Sequence, residues 1–241
     1  MKRYWLPLSL LLNVGLIIVG LLAVQRLGGW QYLWHRFTQP PSVNGTYDNR
    51  KQLFDMLPER DSSIIMLGNS ITEQGNWTEL LKDDRFVNRG IAGDVVNGIR
   101  SRLEPLERLR PRRIYLMVGV NDLLFHPPEA IFPNYQTLVR ELQRRFPETE
   151  LILQSILPVN NEVRRTGVEN VAINTLNTAI RRLAEERQLT YLDVHAQLRD
   201  ERGALPATFT ADGIHLNGLA YLRWAELIRE TERQREAAAR E

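Results

Sequence analysis

Three residues of this chain have the types needed for a nucleophilic relay: Ser70, His215 and Asp212. A neutral serine hydroxyl is a weak nucleophile and needs an adjacent base. In Thr210-Ala211-Asp212-Gly213-Ile214-His215-Leu216-Asn217, an aspartate three residues before a histidine can share one side of a turn with it. The carboxylate then takes the Nδ1 proton and leaves Nε2 free to act as base. Ser70 stands in Met66-Leu67-Gly68-Asn69-Ser70-Ile71-Thr72, where the apolar run Ile64-Ile65-Met66-Leu67 breaks into Gly-Asn-Ser. The stretch has a second reading, because Ser70-Ile71-Thr72-Glu73 also fits a helix capping box. It is not a Gly-x-Ser-x-Gly nucleophile elbow, since position 72 is Thr.

Two further turns carry polar residues after apolar runs: Gly93-Asp94 and Gly119-Val120-Asn121-Asp122. Each has a local explanation, Asp94 as a helix cap and Asn121-Asp122 as an Asx turn. The remaining histidines are weaker bases. His35 falls in an N-terminal aromatic segment, and His126 in Phe125-His126-Pro127-Pro128 can line the mouth of a site. His195 is the rival to His215, because Asp193 would share its face if the strand continues, although two strand positions is a long reach. No Asp/His cluster has metal-ligand spacing, and no glycine-rich phosphate loop is present, so no metal or cofactor is expected.

These residues must be positioned by a repeating scaffold. Strands are predicted over 63–67, 85–87, 114–118, 150–157 and 190–194. Helices are predicted over 47–57, 77–81, 95–109, 128–146, 168–188 and 216 to about 233. Strands alternating with helices imply βαβ units and a parallel sheet of five strands, with apolar runs suited to burial on both faces. If the strands are parallel, Gly68-Asn69-Ser70, Gly93-Asp94 and Gly119-Val120-Asn121-Asp122 share one edge of the sheet, where ligands bind in such folds.

The chain begins differently. Lys2 and Arg3 precede Leu6 to Val24, in which only Ser9 and Asn13 are polar. That stretch is long enough to cross a membrane. Leu21 is a poor −3 residue for cleavage after Ala23. A retained signal anchor over 1–26 is therefore expected, with the basic residues inside and the remaining chain outside the cytoplasm, periplasmic or extracellular. Residues 27–60 form a membrane-proximal segment, a linker and a lead-in helix; Trp30 to Phe37 can lie along a membrane surface or pack on the domain. The catalytic domain is placed at 61–234, and 235–241 is a charged tail. The 241 residues carry a net charge of +2 and no basic stripe, which excludes an electrostatic nucleic-acid binder. No cysteine is present, which excludes disulfides, thiolate metal sites and cysteine nucleophiles.

Four separated blocks now stand in order: Gly68-Asn69-Ser70, Asn88-Arg89-Gly90-Ile91-Ala92-Gly93-Asp94, Gly119-Val120-Asn121-Asp122 and Asp212-Gly213-Ile214-His215. Together they resemble the SGNH hydrolases, the large branch of the GDSL esterase/lipase group, over roughly residues 60–230. The first block departs from the commoner Gly-Asp-Ser by an Asn. The resemblance implies Ser70 as nucleophile, His215 as general base and Asp212 as its orienter. It implies an oxyanion hole made by the Ser70 N–H, the Gly93 N–H and the Asn121 side-chain amide. It implies a three-layer α/β/α, flavodoxin-like domain. The Gly-Ile-Ala-Gly-Asp block looks most like the platelet-activating-factor acetylhydrolase-like branch, which favours short acyl groups.

The expected activity is therefore that of a serine esterase acting on an acylated small molecule, lipid or glycan. A thioesterase or lysophospholipase on the same scaffold, and a non-catalytic carbohydrate- or lipid-binding module, are the alternatives. Loops near Phe125–Phe132 and Asn160–Thr166 are expected to shape the substrate pockets, and Arg164 and Arg165 can meet an anionic substrate or simply be solvated.

Overall fold

The computed structural model describes residues 5–26 and 45–238, and within the first helix the side chains of residues 13–22, 24 and 25. The chain divides into two units, Met1–Gly45 and Thr46–Glu241. Among its described residues the first holds the helix α1 (Trp5–Arg26). Among the described residues no helix is long and apolar enough to cross a membrane, so the expected span is not carried by the structure, although a helix forms where the sequence puts it. His35, the aromatic segment 30–37 and most of the linker lie outside the described residues.

The second unit opens with α2 (Gly45–Met56) and then alternates strands and helices. The strands are β1 (Ile64–Gly68), β2 (Phe86–Gly90), β3 (Arg113–Met117), β4 (Glu150–Gln154) and β5 (Thr190–Leu192). All pair in parallel, in the order β2-β1-β3-β4-β5. After β1 the chain steps to one side for β2 and to the other for β3, so the strand order reverses beside the end of β1. A reversal of this kind opens a crevice at the carboxyl edge, and Ser70 follows β1 by two residues.

The helices are α3 (Ser70–Glu73), α4 (Trp77–Leu81), α5 (Val96–Arg100), α6 (Glu104–Glu107), α7 (Pro128–Arg145), α8 (Asn170–Glu186), α9 (Val194–Leu198) and α10 (Gly218–Ala238). The apolar stripes of α7 (Ile131, Tyr135, Leu138, Leu142) and α8 (Ile173, Leu176, Ile180, Leu183) are buried on the sheet, as their helical spacing predicts. β1 and β3 are buried along their whole length, as central parallel strands must be. Trp77, Tyr221 and Trp224 pack edge-to-face and stacked, with Trp77 and Trp224 centroids 4.6 Å apart, and fasten α10 to α4.

Four elements differ from the sequence expectation. The helix over 95–109 is two helices, because Pro105 has no N–H for the Ser101 carbonyl and its ring would strike it. It stands instead in the first turn of α6, where a missing donor costs nothing. β4 stops at Gln154, because the side chain of Asn177 takes over the backbone of Ile156, accepting from its N–H (2.7 Å) and donating to its carbonyl (2.8 Å). β5 stops at Leu192, because the Asp193 carboxylate caps α9 at the Ala196 N–H. Finally, α10 runs through the expected tail to Ala238, and Arg235 donates to Thr190 at the start of β5.

Candidate active site

The capping-box reading of Ser70 does not hold. The N-cap is Asn69, whose side-chain oxygen accepts from the Ile71 N–H at 3.0 Å. Glu73 does not reach back either; its carboxylate accepts from the Ala92 N–H (2.7 Å) and pairs with Arg50 (2.8 Å). Ser70 Oγ is thereby left to one side-chain partner, His215 Nε2, at 3.0 Å. The one-turn helix carrying Ser70 is too short to hold itself, so its carbonyls are tied down from outside. Trp77 Nε1 donates to Thr72 (2.8 Å), the Tyr221 hydroxyl to Ile71 (2.6 Å), and Asn88 Nδ2 to Thr72, Glu73 and Gly75. Gly68 has no alternative residue, since a Cβ there would lie 2.5 Å from the Met117 carbonyl oxygen.

His215 sits in a turn folded around Asp212. Asp212 Oδ1 accepts the N–H groups of Ile214 (3.0 Å) and His215 (2.8 Å), and Oδ2 faces His215 Nδ1 at 2.7 Å. Burial alone would raise the Asp212 carboxyl, but these bonds hold it down at about 2. With Nδ1 donating to a carboxylate that stays ionised, Nε2 presents its lone pair to the Ser70 hydroxyl. The turn needs Gly213, which has φ +85°. Its carbonyl accepts from the Asn160 N–H at 2.7 Å, so the 160–166 loop is fastened directly to the Asp212–His215 turn.

Gly93 and Asn121 lie in the two neighbouring turns. Gly93 has φ +79°, and neither its N–H nor that of Ser70 donates to a group among the described residues. Asn121 Nδ2 gives one hydrogen to the Asp94 carbonyl (2.8 Å), which joins the two turns and leaves its second amide hydrogen uncommitted among the described residues. Next to it, both oxygens of Asp122 accept from the Val96 N–H at 3.2 Å. Burial, helped by the nearby charge of Asp94, pushes the Asp122 carboxyl up to about 7.

The sequence reading missed the groups behind these turns. Asp94 is bound by Arg102 Nε at 2.7 Å and by the Tyr47 hydroxyl at 3.3 Å. Arg102 was visible only as a charge next to the apolar position Leu103. The rivals to His215 fall away. His195 is in α9 rather than at a strand end, and its backbone N–H donates to Ser155 Oγ. Asp193 is occupied by the Ala196 N–H and by Arg181. His126 donates its backbone N–H to the Asp122 carbonyl. Among the described residues no group of three or more His, Asp or Glu side chains is placed to hold a metal ion.

A parallel α/β domain with a serine, an imidazole and a carboxylate in line at its switch point defines an acyl hydrolase architecture. Residues 66–223 match the GDSL-like lipase/acylhydrolase family, and the chain belongs to it as an ester-bond hydrolase. Among solved structures, a candidate platelet activating factor from Streptococcus pneumonia is 26% identical, with a TM-score of 0.69 over 78% of this chain and 92% of that one. A GDSL-like lipase from Bacteroides thetaiotaomicron is 22% identical, with a TM-score of 0.65 over 78% of this chain and 97% of that one. The acetyl xylan esterase AlAXEase is 21% identical, with a TM-score of 0.59 over 70% of this chain and 97% of that one. No curated protein matches the chain.

Proposed function

We propose that the chain is a serine esterase that cleaves short-acyl, above all O-acetyl, esters. The observation that carries this reading is the continuous line from Asp212 Oδ2 to His215 Nδ1 (2.7 Å) and from His215 Nε2 to Ser70 Oγ (3.0 Å). As Oγ attacks the ester carbonyl, the new C–O bond forms and the hydroxyl proton passes to His215 Nε2. Asp212 stabilises the resulting imidazolium without taking its proton. The tetrahedral oxygen is met by the N–H groups of Ser70 and Gly93 and the free amide hydrogen of Asn121. Collapse breaks the bond to the alcohol, which leaves with the proton from His215. Water then repeats the sequence on the acyl-enzyme and restores Ser70.

The short-acyl assignment is supported by the Gly90–Asp94 block and by the relatives named for platelet activating factor and acetyl xylan. We also infer that α1 anchors the domain at a membrane with the site outside the cytoplasm. Support comes from the charge-free run Leu6 to Val24 that follows Lys2 and Arg3 in the sequence, and from the exposure of Leu16, Ile17, Val19 and Leu21.

The decisive experiment treats the full-length chain with a fluorophosphonate probe and with p-nitrophenyl esters of increasing acyl length. Labelling at Ser70, its loss in Ser70→Ala, and a steep fall in kcat/KM beyond short acyl chains are the expected results. An unlabelled Ser70 sinks the esterase reading in favour of a binding module. A preference for long chains overturns the acetyl assignment alone.

A further inference from the structure

One guanidinium touches three of the segments that build the site. Arg102 Nε and Nη2 both lie 2.7 Å from Asp94 Oδ2, and Nη2 also donates to the carbonyls of Gly68 (3.1 Å) and Arg89 (3.0 Å). Gly68 ends β1 two residues before Ser70, and Arg89 lies in β2 four residues before Gly93. Asp94 passes the constraint on, since its own carbonyl accepts the Asn121 amide at 2.8 Å. The side chains of Arg102 and Asp94 are 1% and 0% exposed. We propose that Arg102, acting through Asp94, is a positioning residue that sets the spacing of the Ser70, Gly93 and Asn121 donors to the tetrahedral oxygen. This proposal rests on the esterase reading above.

Stability alone is a poor account of such a pair. Removing two charges from water costs so much that a buried ion pair is often no better than packed apolar side chains. What an apolar pair cannot do is direct donors at two backbone carbonyls while gripping a carboxylate. The planar fork of arginine does so and the single point of a lysine ammonium does not. Gly98 makes the room, because a Cβ there would lie 2.0 Å from Asp94 Oδ1. Displacements of about 1 Å in a reacting geometry can cost on the order of 100-fold in rate. A guanidinium that fixes the ends of β1 and β2 relative to Asn121 acts on that scale.

The test compares Arg102→Met, Arg102→Lys and Gly98→Ala with Arg113→Met, a control at the opposite edge of the sheet. Each is made in the full-length chain and assayed well below its own melting temperature. The readouts are kcat, KM and the affinity of methyl trifluoromethyl ketone, an acetyl-ester mimic that forms a tetrahedral adduct with the serine. Arg102→Met is expected to lose about 100-fold in kcat, with KM within threefold and ketone affinity falling in parallel. Arg102→Lys is expected to regain less than tenfold of that loss. Gly98→Ala, which crowds the carboxylate without touching the site, is expected to lose about tenfold in kcat on the same geometric reasoning. Arg113→Met is expected to melt earlier with kcat within twofold. If Arg102→Met does not fold, Arg102→Lys and Gly98→Ala decide alone. Folded variants with kcat within threefold of the parent, or ketone affinity unchanged, overturn the positioning role while leaving the esterase reading intact. A parent chain that turns over no ester overturns both.

Discussion

Two clusters of buried charge sit at opposite edges of the same sheet, and they are built differently. At the amino edge, Arg113 at the start of β3 pairs with Glu150 at the start of β4 (2.6 Å) and with Glu232 of α10. The Tyr115 hydroxyl donates to Glu232, and Arg235 pairs with Glu150. Every one of those partners is a side chain. At the carboxyl edge, Arg102 and Asp94 spend most of their hydrogen bonds on backbone, reaching Gly68, Arg89 and the Val95 N–H. A network of side chains clamps whole elements and can re-form if one member shifts. A network aimed at main-chain atoms fixes where loops lie to a fraction of an ångström. The first design serves folding and the second serves a site.

That contrast is open to attack, beginning with the largest expected effect. His215→Ala should cost on the order of 10⁴–10⁶ in kcat while the urea midpoint stays close to the parent's; a comparable loss of stability would erase the division of labour. Asn121→Ala should lose about 10²–10³ in kcat, the usual cost of one oxyanion donor. Wild-type-like turnover would remove Asn121 from the hole. At the other edge, Glu232→Ala removes one of the two carboxylates on Arg113 and the acceptor of the buried Tyr115 hydroxyl, and should destabilise by about 1–3 kcal/mol, read from urea midpoints, with kcat within twofold.

A further expected effect is a pH dependence. The Asp122 carboxyl is raised from 3.8 to about 7, chiefly by burial. Between those values the folded chain holds a proton that the unfolded chain has released, so stability falls as pH rises through about 4 to 7 and levels off above. Asp122→Asn keeps an acceptor for the Val96 N–H and should flatten that decline. A parent and an Asp122→Asn variant that lose the same stability between pH 5 and pH 8, read from urea midpoints, would mean that Asp122 is not the titrating group.

The repeating scaffold was legible because apolar runs and helical stripes are local signals. So was the candidate site, because the residues that meet there are announced by Gly-Asn-Ser after β1, Gly-Val-Asn-Asp after β3 and Asp-Gly-Ile-His before the last helix. Local chemistry offered a false lead in three places, of which only the second was adopted. Ser70-Ile71-Thr72-Glu73 mimicked a capping box until Asn69 took the cap and Glu73 turned to Ala92 and Arg50. The stripe of Val96, Ile99, Leu103 and Leu106 outweighed Pro105. The pair Asp193 and His195 suggested a strand face where Asp193 begins a helix. Arg102 and Tyr47 were silent for another reason. Their partners lie 8 and 47 positions away, and no periodicity in the chain encodes which buried carboxylate a given arginine or tyrosine will find.

The Tyr47 hydroxyl has a practical consequence for where the enzyme begins. It reaches Asp94 from α2, the same helix whose Arg50 donates to the Gly90 carbonyl and whose Phe54 packs with Tyr47 and Ile91. A fragment cut at the first strand, which looks like the natural start of the domain, would amputate the outer wall of the Asp94 pocket and open the Arg102 pair to solvent. An active soluble fragment has to keep the whole of α2.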